Sequence, residues 1–482
     1  MERVGTGVEL DVQPVRRSGT ALDDEALARF AARMRRENLP EIATRAFLRA
    51  ANFVAEGGAT LIRENEIEPV ADLPELASLE RYAEAGRKAV GRAAIIKLNG
   101  GLGTSMGLAK AKSLLPVRPG ISFLDLIARQ VLHQRARHGA DLPLVLMNSY
   151  RTRDDSLAAL LVHPALEKQV PLDFLQHRVP RIDAESWRPV EWLADESLEW
   201  CPPGHGDLYI ALASSGMLET LRSNGFRYAF VSNADNLGAV LDLRILGWFA
   251  SEGLPFAMEV AHRTAADRKG GHLARRGGRL MLRETAQCAS EDLPAFQDIE
   301  RHHFFNTNNL WLDLDALAAA LAASPDGLPL PIIRNEKRVS PSDPTSPRCY
   351  QLETAMGSAI EYFEGARAIA VPRDRFAPVK TTNDLLVLWS DAYELTGDAR
   401  IVARDPAANR ARVIELDPRY FSQIADFEAR FDEGAPSLQQ CRRLRVHGDF
   451  RFAAGVSVEG DVELVNPDTK QREIPPETLL RG

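Results

Sequence analysis

The chain has 482 residues, 45% of them hydrophobic and 26% charged, the composition of an ordinary globular protein with one large core and room for smaller domains. Its formal net charge of −8 argues against broad binding of nucleic acid or of an anionic membrane, although a local basic pocket for a small anion stays compatible with it. The four cysteines are widely and irregularly spaced, which indicates neither a zinc site nor a disulfide framework. The first residues lack the apolar core of a signal peptide, and no run approaches the ~18 apolar residues of a spanning helix, so we expect a cytoplasmic protein.

The first 90 residues are predicted to form a loosely ordered arm, residues 1–20, followed by helices. Apolar residues recur at three- and four-residue spacing in residues 22–39 and 42–58, which is typical of amphipathic helices. Asp23 and Asp24 are candidate N-capping residues for the first helix.

From residue 93 the pattern alternates between strands and helices, which is typical of an α/β sheet with crossover connections. Residues 324–347 are rich in Pro, Ser and Asp and are predicted to form a surface loop. The predicted strands are 93–98, 142–149, 228–238, 255–264 and 366–376, with a further strand running into a helix over 304–321. The predicted helices are 123–139, 241–253, 352–365 and 383–395.

The last 40 residues carry a six-residue repeat of apolar pairs separated by glycines. This period predicts a β-helix solenoid, and an ordinary β-meander is the alternative. About four units are too few to bury their own ends, so we expect them to pack on the main domain or on another subunit. The pairs are Leu444/Val446, Phe450/Phe452, Val456/Val458 and Val462/Leu464.

The stretch IIKLNGGLGTSMG, residues 95–107, places four glycines in eight residues directly after a buried strand. A dinucleotide-binding fingerprint fits poorly, because Gly107 comes one residue late and the next strand ends at Asn148 instead of an acidic residue. The P-loop pattern is absent from the sequence, and a tight turn without a ligand remains an alternative. Lys110 and Lys112 follow the loop, where a lysine can neutralise phosphates held by backbone N–H groups.

This loop, continued by Lys112 and Ser113, resembles the nucleotide loop of the UTP–glucose-1-phosphate uridylyltransferase family. Eight further blocks resemble that family in its own order, so that the resemblance covers roughly residues 93–400. The blocks are LMNSY (146–150), FLQHRVPRI (174–182), WCPPGHGDLY (200–209), VSNADNLGAVLD (231–242), MEV with DRKGG (258–271), FNTNNLW (305–311), QLETAMGSAIEYF (351–363) and RFAPVKTTNDLL (375–386).

The resemblance implies a fold and a division into domains. The fold is a Rossmann-like GT-A nucleotidyltransferase core with a mixed sheet, preceded by a helical N-terminal segment and followed by a small left-handed β-helix. We expect boundaries at 1–90, 91–405 and 406–482, with the last region also containing a linker. The β-helix region is a candidate surface for homo-oligomer formation.

The resemblance also implies a reaction, the conversion of UTP and glucose 1-phosphate to UDP-glucose and pyrophosphate with Mg²⁺. A phosphate oxygen of the sugar phosphate attacks the α-phosphorus of UTP, and pyrophosphate leaves in line. This nucleophile is already anionic at neutral pH, so a general base is not required. The reaction instead needs positioning and neutralisation of negative charge.

Three residues match the family's catalytic positions. Lys112 is assigned to the UTP phosphates and Lys380 to the space between glucose 1-phosphate and the α-phosphate. Asp235 is assigned to Mg²⁺, although Asp and Asn in this segment also favour turns for local reasons. Lys110 could share the role of Lys112, because LAKA stands before Lys112 where the family more often has Gly-Pro before the lysine.

The substrate contacts implied by the resemblance fall into two groups. Backbone around the glycine loop, Gln176 and Gly204 are assigned to the nucleotide, and a second set is assigned to the sugar and its phosphate. The nucleotide set is Leu98, Gly100, Gly101, Gly103, Gln176 and Gly204. The sugar-phosphate set is His205, Lys269, Gly270, Asn308 and Glu353, with Gly271 beside Gly270. Asn233 is a further candidate for substrate binding, and Asn233 and Asn236 could orient Asp235 or touch the ligand.

Several alternatives to this function stay open at the level of sequence. A uridylyltransferase for galactose 1-phosphate or N-acetylglucosamine 1-phosphate is the nearest, although the acetylglucosamine relatives usually have arginine where Ser105 stands here. A nucleotide-sugar sensor without catalysis is disfavoured by the intact Lys112, Asp235 and Lys380. An NAD-dependent oxidoreductase is disfavoured by the glycine spacing and by Asn148.

Overall fold

The computed structural model describes residues 21–482, and the arm predicted at residues 1–20 lies outside the described residues. Two amphipathic helices begin the described chain, as predicted. Asp23 is the N-cap of the first, where its carboxylate accepts a hydrogen bond of 2.6 Å from the Ala26 amide, and Asp24 lies in the first turn. The helices in chain order are α1 (Asp24–Arg36), α2 (Glu41–Ala55), α3 (Ala83–Ala89), α4 (Phe123–His138), α5 (Arg153–Leu160), α6 (Leu208–Ser214), α7 (Met217–Ser223), α8 (Leu243–Ser251), α9 (Leu293–Phe296), α10 (Leu314–Ala323), α11 (Ala359–Tyr362), α12 (Thr382–Trp389), α13 (Pro406–Ala411), α14 (Pro418–Phe421) and α15 (Ile424–Arg430).

A mixed ten-stranded sheet forms the centre of the fold and confirms the predicted α/β class. The strands in chain order are β1 (Glu68–Pro69), β2 (Ala93–Asn99), β3 (Pro116–Arg118), β4 (Ile121–Ser122), β5 (Leu144–Asn148), β6 (Asp173–Leu175), β7 (Val179–Pro180), β8 (Ile182–Asp183), β9 (Trp200–Cys201), β10 (Tyr228–Asn233), β11 (Phe256–His262), β12 (His272–Arg276), β13 (Arg279–Arg283), β14 (Phe304–Asp313), β15 (Ile332–Arg338), β16 (Arg348–Thr354), β17 (Arg367–Ala370), β18 (Tyr393–Leu395), β19 (Ile401–Ala403), β20 (Val413–Leu416), β21 (Cys441–His447), β22 (Phe450–Phe452), β23 (Ser457–Val465), β24 (Arg472–Ile474) and β25 (Leu479–Arg481).

The order of strands in this sheet brings three carboxyl ends together. β6, β5, β2 and β10 lie side by side in that order and run parallel, and β14 pairs with β10 in the antiparallel sense. β14 also pairs with β11 and β12, and β1, β13 and β17 complete the sheet. The carboxyl ends of β2, β5 and β10 therefore meet at one edge.

Strand β2 shows why the apolar run at its start is nearly continuous. Ala93 and Ile95 belong to one hydrophobic core, whereas Ala94 and Ile96 belong to the core on the other face of the sheet. Because successive side chains of a strand point to opposite faces, a strand covered on both faces needs apolar residues at every position.

Two sequence-based predictions between residues 324 and 365 are wrong in part. Residues 332–338 form strand β15 instead of a loop, and residues 352–354 end strand β16 instead of starting a helix. The two strands pair along seven residues, and Tyr350 and Leu352 alternate into the core formed with the N-terminal helices. Pairing with a polar partner strand therefore overrode the helical pattern of the segment, and only Ala359–Tyr362 is α-helical there.

The C-terminal strands pair in parallel, which makes the β-meander alternative wrong because a meander pairs neighbouring strands antiparallel. β21 pairs with β23, β22 with β24 and β23 with β25. Gly448 has φ of +98°, and a Cβ at this position would overlap the Asn466 carbonyl oxygen, so the turn after β21 requires glycine. Phe431 joins this region to the preceding helices through rings centred 4.9 Å from Phe427 and 5.0 Å from Phe452.

Within residues 21–482, no helix combines the length and the apolar character that crossing a bilayer would require.

Candidate active site

The site begins where β2, β5 and β10 end, and each of these strands ends in an asparagine. Ligands of open α/β sheets bind outside the carboxyl ends of the parallel strands. Asn99 donates a 2.8 Å hydrogen bond to Asn148, and Asn148 donates to Asp173 at 3.2 Å. Asn148 is fully buried, so it serves the packing of the strand ends.

The glycine loop turns back on itself after β2. The Gly103 amide donates to the Lys110 carbonyl at 3.1 Å, and the Lys112 amide donates to the Gly101 carbonyl at 3.0 Å. Gly107 has φ of +72°, and a Cβ on it would overlap Gln423, which lies between α14 and α15. The loop is therefore a narrow backbone hairpin that brings Lys112 back to the strand ends.

Lys112 and Asp235, two predicted catalytic residues, form an ion pair. Their side chains are 22% and 20% exposed, and the Lys112 Nζ to Asp235 Oδ2 distance is 2.6 Å. Lys110 points elsewhere and lies 3.7 Å from Asp155 on α5. The structure thus places Lys112, and not Lys110, beside the carboxylate.

Asp235 is the candidate ligand for the Mg²⁺ that the family resemblance implies. Mg²⁺ in nucleotide enzymes is typically held by one or two carboxylates together with phosphate oxygens and water. In the described part of the chain, no cluster of three or more His, Cys, Asp or Glu side chains is arranged for a metal. A single carboxylate in the loop after β10, paired with Lys112, would therefore fit an Mg²⁺ ion completed by substrate oxygens, and does not fit an all-protein metal site.

Asn236 fastens the loop of Asp235 to a distant segment. Its Nδ2 donates to the Arg375 carbonyl at 3.1 Å and to Asn309 Oδ1 at 3.3 Å, and its Oδ1 accepts from the Ala377 amide at 3.0 Å. Asn236 is 1% exposed, so it acts on the backbone around it and not on a ligand.

Lys380 follows the segment that Asn236 holds. Residues 236 and 378 form an isolated antiparallel bridge, which brings the chain before Lys380 to the Asp235 loop. The Lys380 side chain is exposed, and its backbone N–H donates to Asp384 Oδ2 at 2.8 Å at the start of α12. The structure therefore brings this predicted residue to the same edge of the sheet as Lys112.

Gln176 lies against the glycine loop and contacts Gly204, and the nucleotide contacts predicted for both residues stay a prediction. Gln176 Nε2 donates to the Gly204 carbonyl at 3.0 Å, and its Oε1 lies 2.5 Å from the position a Cβ would take on Gly100. Gly204 has φ of +80°, and a Cβ there would overlap the Thr354 carbonyl oxygen. Glycine at 204 is therefore required by its positive φ and by the close approach of the Thr354 backbone, whereas the atom close to Gly100 is the end of a flexible side chain. Leu98 is the next-to-last residue of β2, two residues before Gly100.

His205 presents a neutral ring to the site. Its Nδ1 accepts a 2.9 Å hydrogen bond from the Met356 amide, which places the proton on Nε2. Burial lowers the pKa of His205 to about 4, so the ring stays neutral at physiological pH. A neutral imidazole with a free N–H is a hydrogen-bond donor, not a counter-ion.

Glu353 lies on β16 next to Gly204. Its Oε1 accepts a 3.1 Å hydrogen bond from Asn335 on β15, and burial raises the pKa of its carboxyl. Asn335 was missed in the sequence because its segment was predicted as a loop. Asn335 could have been found only by predicting that residues 332–338 form the strand that pairs with β16.

Asn308 adopts a backbone conformation that is rare for a residue with a side chain. Its φ is +59°, and it lies where the register between β14 and β11 shifts by a bulge. Asn306 Nδ2 donates to Asn308 Oδ1 at 2.7 Å, and the Asn308 amide donates back to Asn306 Oδ1 at 2.9 Å. Bulges of this kind redirect a side chain, and strained residues cluster at functional sites.

The turn of Lys269, Gly270 and Gly271 lies beside the same bulge. The Asn306 amide donates to the Gly271 carbonyl at 3.1 Å, and Lys269 is exposed. The position of a Cβ on Gly271 is 2.5 Å from Glu284 Oε2, and burial raises the pKa of Glu284 to about 7. Glu284 was not found from the sequence, because it follows β13 outside every recognised block.

Asn233, the last residue of β10, pairs in register with Leu98 at the end of β2. It therefore lies beside the strand that leads into the glycine loop and two residues before Asp235, and its predicted contact with the substrate stays a prediction.

Comparison with known proteins decides the family. Residues 44–459 match the family model described as UTP–glucose-1-phosphate uridylyltransferase. The chain belongs to this family. It is 39% identical over 411 residues to the UTP–glucose-1-phosphate uridylyltransferase of Solanum tuberosum, covering 85% of this chain and 84% of that protein. The Saccharomyces cerevisiae protein of that name is 38% identical over 391 residues, covering 81% and 77%.

Solved structures of the uridylyltransferase family share the whole fold. A UDP-glucose pyrophosphorylase from Leishmania major has a TM-score of 0.89 and 41% identity, covering 95% of this chain and 97% of that one. Another form of that protein, in complex with UDP-glucose, has a TM-score of 0.87 and 41% identity, covering 96% and 99%. The chain is thus an enzyme of the transferase class, and the oxidoreductase alternative is wrong.

Proposed function

We propose that this chain converts UTP and glucose 1-phosphate to UDP-glucose and pyrophosphate, with Mg²⁺ and with in-line attack of the sugar phosphate on the α-phosphate. The observation that carries the proposal is the Lys112–Asp235 pair, 2.6 Å apart at the strand ends that also hold the glycine loop. The pair brings together the two charges that binding of a nucleotide–magnesium complex needs: a positive charge on Lys112 for the phosphates and a negative charge on Asp235 for the metal.

The chemistry requires charge neutralisation and alignment. Lys112 would bind the phosphates of UTP, and Asp235, released from that ion pair, would bind Mg²⁺. When bound, the ion supplies positive charge to phosphate oxygens around the α-phosphorus. Lys380, brought in by the segment that Asn236 holds, would bind the incoming sugar phosphate. Two cations then draw together two substrates that otherwise repel each other.

The sugar hydroxyls would be bound by side chains with fixed partners. Glu353 is oriented by Asn335, Asn308 by Asn306, and the neutral His205 donates from Nε2. Lys269 and Gly270 would line the same side. A site whose acceptors and donors are fixed in advance rejects a sugar that lacks or inverts one hydroxyl, because a buried polar group is then left unpaired. The relatives, which are named UTP–glucose-1-phosphate uridylyltransferases, favour glucose as the sugar that is accepted.

The finer description of the fold belongs to the same proposal. We infer a GT-A type core, a left-handed C-terminal β-helix and domain boundaries at 90 and 405. The parallel pairing of β21, β23 and β25 supports a coiled solenoid. Homo-oligomer formation through that region and a cytoplasmic location stay predictions.

The test is release of pyrophosphate from UTP and Mg²⁺ with a panel of sugar 1-phosphates. We expect release with glucose 1-phosphate well above galactose 1-phosphate and N-acetylglucosamine 1-phosphate. Asp235→Asn should reduce the rate at least about 100-fold, whereas Asp155→Asn, which removes the carboxylate near Lys110, should leave it near wild type. Absence of release with glucose 1-phosphate would overturn the proposal, and a better rate with another sugar would reassign the substrate.

A further inference from the structure

Lys97 is a charged residue buried in the middle of the apolar strand β2. It is 2% exposed and lies in register with Ser232 on the neighbouring strand β10. Its Nζ donates to Ser232 Oγ at 2.7 Å and to the Ala239 carbonyl at 2.8 Å. One ammonium group therefore joins two points of the chain that are seven residues apart.

Those two points are the ends of the loop that carries Asp235. Ser232 precedes the last residue of β10, and Ala239 follows the turn of Asn236 to Gly238. The Ala234 amide also donates to the Leu98 carbonyl at 3.0 Å, next to Lys97 in the sequence. β2 thus contacts the Asp235 loop in two ways. Its backbone binds the start of the loop at Ala234, and the Lys97 side chain binds both ends, at Ser232 and Ala239.

A lysine at this place is costly for stability. Burial, reinforced by the nearby charge of Arg375, lowers the pKa of Lys97 to about 7. Arg375 is itself paired with buried Glu259 at 2.7 and 2.8 Å, so that carboxylate is already engaged by another cation. An apolar side chain of the same length would avoid the desolvation of an amine, and a function that needs the two hydrogen bonds accounts for the lysine.

We propose that Lys97 is a positioning residue that holds the loop of residues 233–238 in the shape that presents Asp235 to the metal. The inference rests on the proposed role of Asp235. Lys97 is buried and its Nζ is bound to the two ends of the loop, so it acts through them and not by contact with a substrate. Groups that orient a metal ligand in this way typically contribute 10- to 100-fold to metal affinity or activity.

The first experiment compares Lys97→Met with Lys88→Met, the same substitution at an exposed lysine on α3. UTP binding is measured by calorimetry with and without Mg²⁺, together with kcat and the half-saturating Mg²⁺ concentration. We expect Lys97→Met to bind UTP without Mg²⁺ within about threefold of wild type. The gain in UTP affinity on adding Mg²⁺ and kcat should each fall about tenfold or more. Lys88→Met should match wild type. A normal response of Lys97→Met to Mg²⁺ would overturn the inference.

A double-mutant cycle separates this inference from the proposed function. If Lys97 acts through Asp235, adding Lys97→Met to Asp235→Asn should cause little further loss, whereas independent effects would multiply. An undiminished response of Asp235→Asn to Mg²⁺ would overturn the proposed role of Asp235. A defective Asp235→Asn beside a normal Lys97→Met would overturn only the positioning role.

Ser232→Ala keeps the test decisive should Lys97→Met fail to fold. It removes one hydrogen-bond acceptor of the Lys97 Nζ and leaves the lysine side chain in place. We expect a loss of about three- to tenfold in kcat, the size of one hydrogen bond, and no further loss in the Asp235→Asn background. Full activity of Ser232→Ala with normal Mg²⁺ dependence, or a loss that multiplies with that of Asp235→Asn, would contradict the inference.

Discussion

The two halves of the proposed site are built differently. The nucleotide half, residues 98–112 with Gln176 and Gly204, is mostly backbone whose glycines permit close approach. The sugar half, the turn at 269–271 with Asn308 and Glu353, relies on side chains held by other side chains and on one strained backbone position. We therefore expect the nucleotide half to control the rate for every sugar, and the sugar half to control which sugar phosphate binds.

The largest effect should come from the nucleotide half. Lys112→Met removes the charge beside Asp235 and should reduce kcat about 100- to 1,000-fold, the usual result of losing one charge-stabilising group. Lys110→Met is the matched variant, because Lys110 points to Asp155 instead, and it should stay within about threefold of wild type. The measurement is the initial rate of each variant at saturating concentrations of both substrates. Equal losses in the two variants would show that the lysines share the role.

A smaller and more selective effect is expected from the sugar half. Asn308→Gly keeps the positive φ, removes the side chain, and should raise the KM for glucose 1-phosphate about tenfold, the size of one or two hydrogen bonds. The KM for UTP should change less than about twofold. Asn38→Gly controls for the backbone effect alone, because Asn38 also has positive φ, 55°, but lies between α1 and α2. If both KM values rose equally in Asn308→Gly, the division into halves would be wrong.

The smallest effect concerns a histidine pair behind the sugar half. His272, which follows Gly271, stacks on His302 with ring centres 3.8 Å apart, and both are fully buried. Burial, with positive charge nearby, lowers the pKa of His272 well below its ordinary value, and burial also lowers the pKa of His302. The unfolded chain then takes up protons below about pH 6.5 that the folded protein does not bind, so acid favours unfolding.

The free energy of unfolding should therefore fall by about 1.4 kcal/mol per pH unit for each histidine that stays neutral when folded. Urea unfolding of wild type between pH 7 and 5.5 measures this slope. His302→Gln should reduce the slope, whereas His447→Gln, at an exposed histidine, should leave it close to wild type. An unchanged slope in His302→Gln would contradict the assignment.

The same two halves differ in how far the sequence could predict them. The glycine loop, Lys112 and Asp235 follow strand ends directly, so local patterns and the family resemblance located them. Asn335 is brought to Glu353 only by the β15–β16 pairing, which a segment rich in Pro, Ser and Asp did not reveal. Such side-chain pairs depend on contacts between distant segments, and a one-dimensional pattern does not contain them.

Lys97 and Asn236 show a second limit. Both were visible in recognised blocks, yet their burial assigns them to hold backbone and not ligand. Lys97 interrupts an apolar run, and this was the available signal. A charged residue inside a buried strand predicts a specific partner, but the sequence does not say which loop that partner belongs to.

The contact between Gly107 and Gln423 limits how chimaeras of this protein and its relatives can be designed. The Gly107 α-carbon faces Gln423, a residue more than 300 positions later in the chain, and its positive φ leaves no unstrained place for a side chain. A chimaera that takes its last 80 residues from a relative therefore also imports a new neighbour for the nucleotide loop. Residues 107 and 423 should therefore be taken from the same parent. If a crossover separates them, the activity of the chimaera should be measured before any change is attributed to the exchanged C-terminal segment.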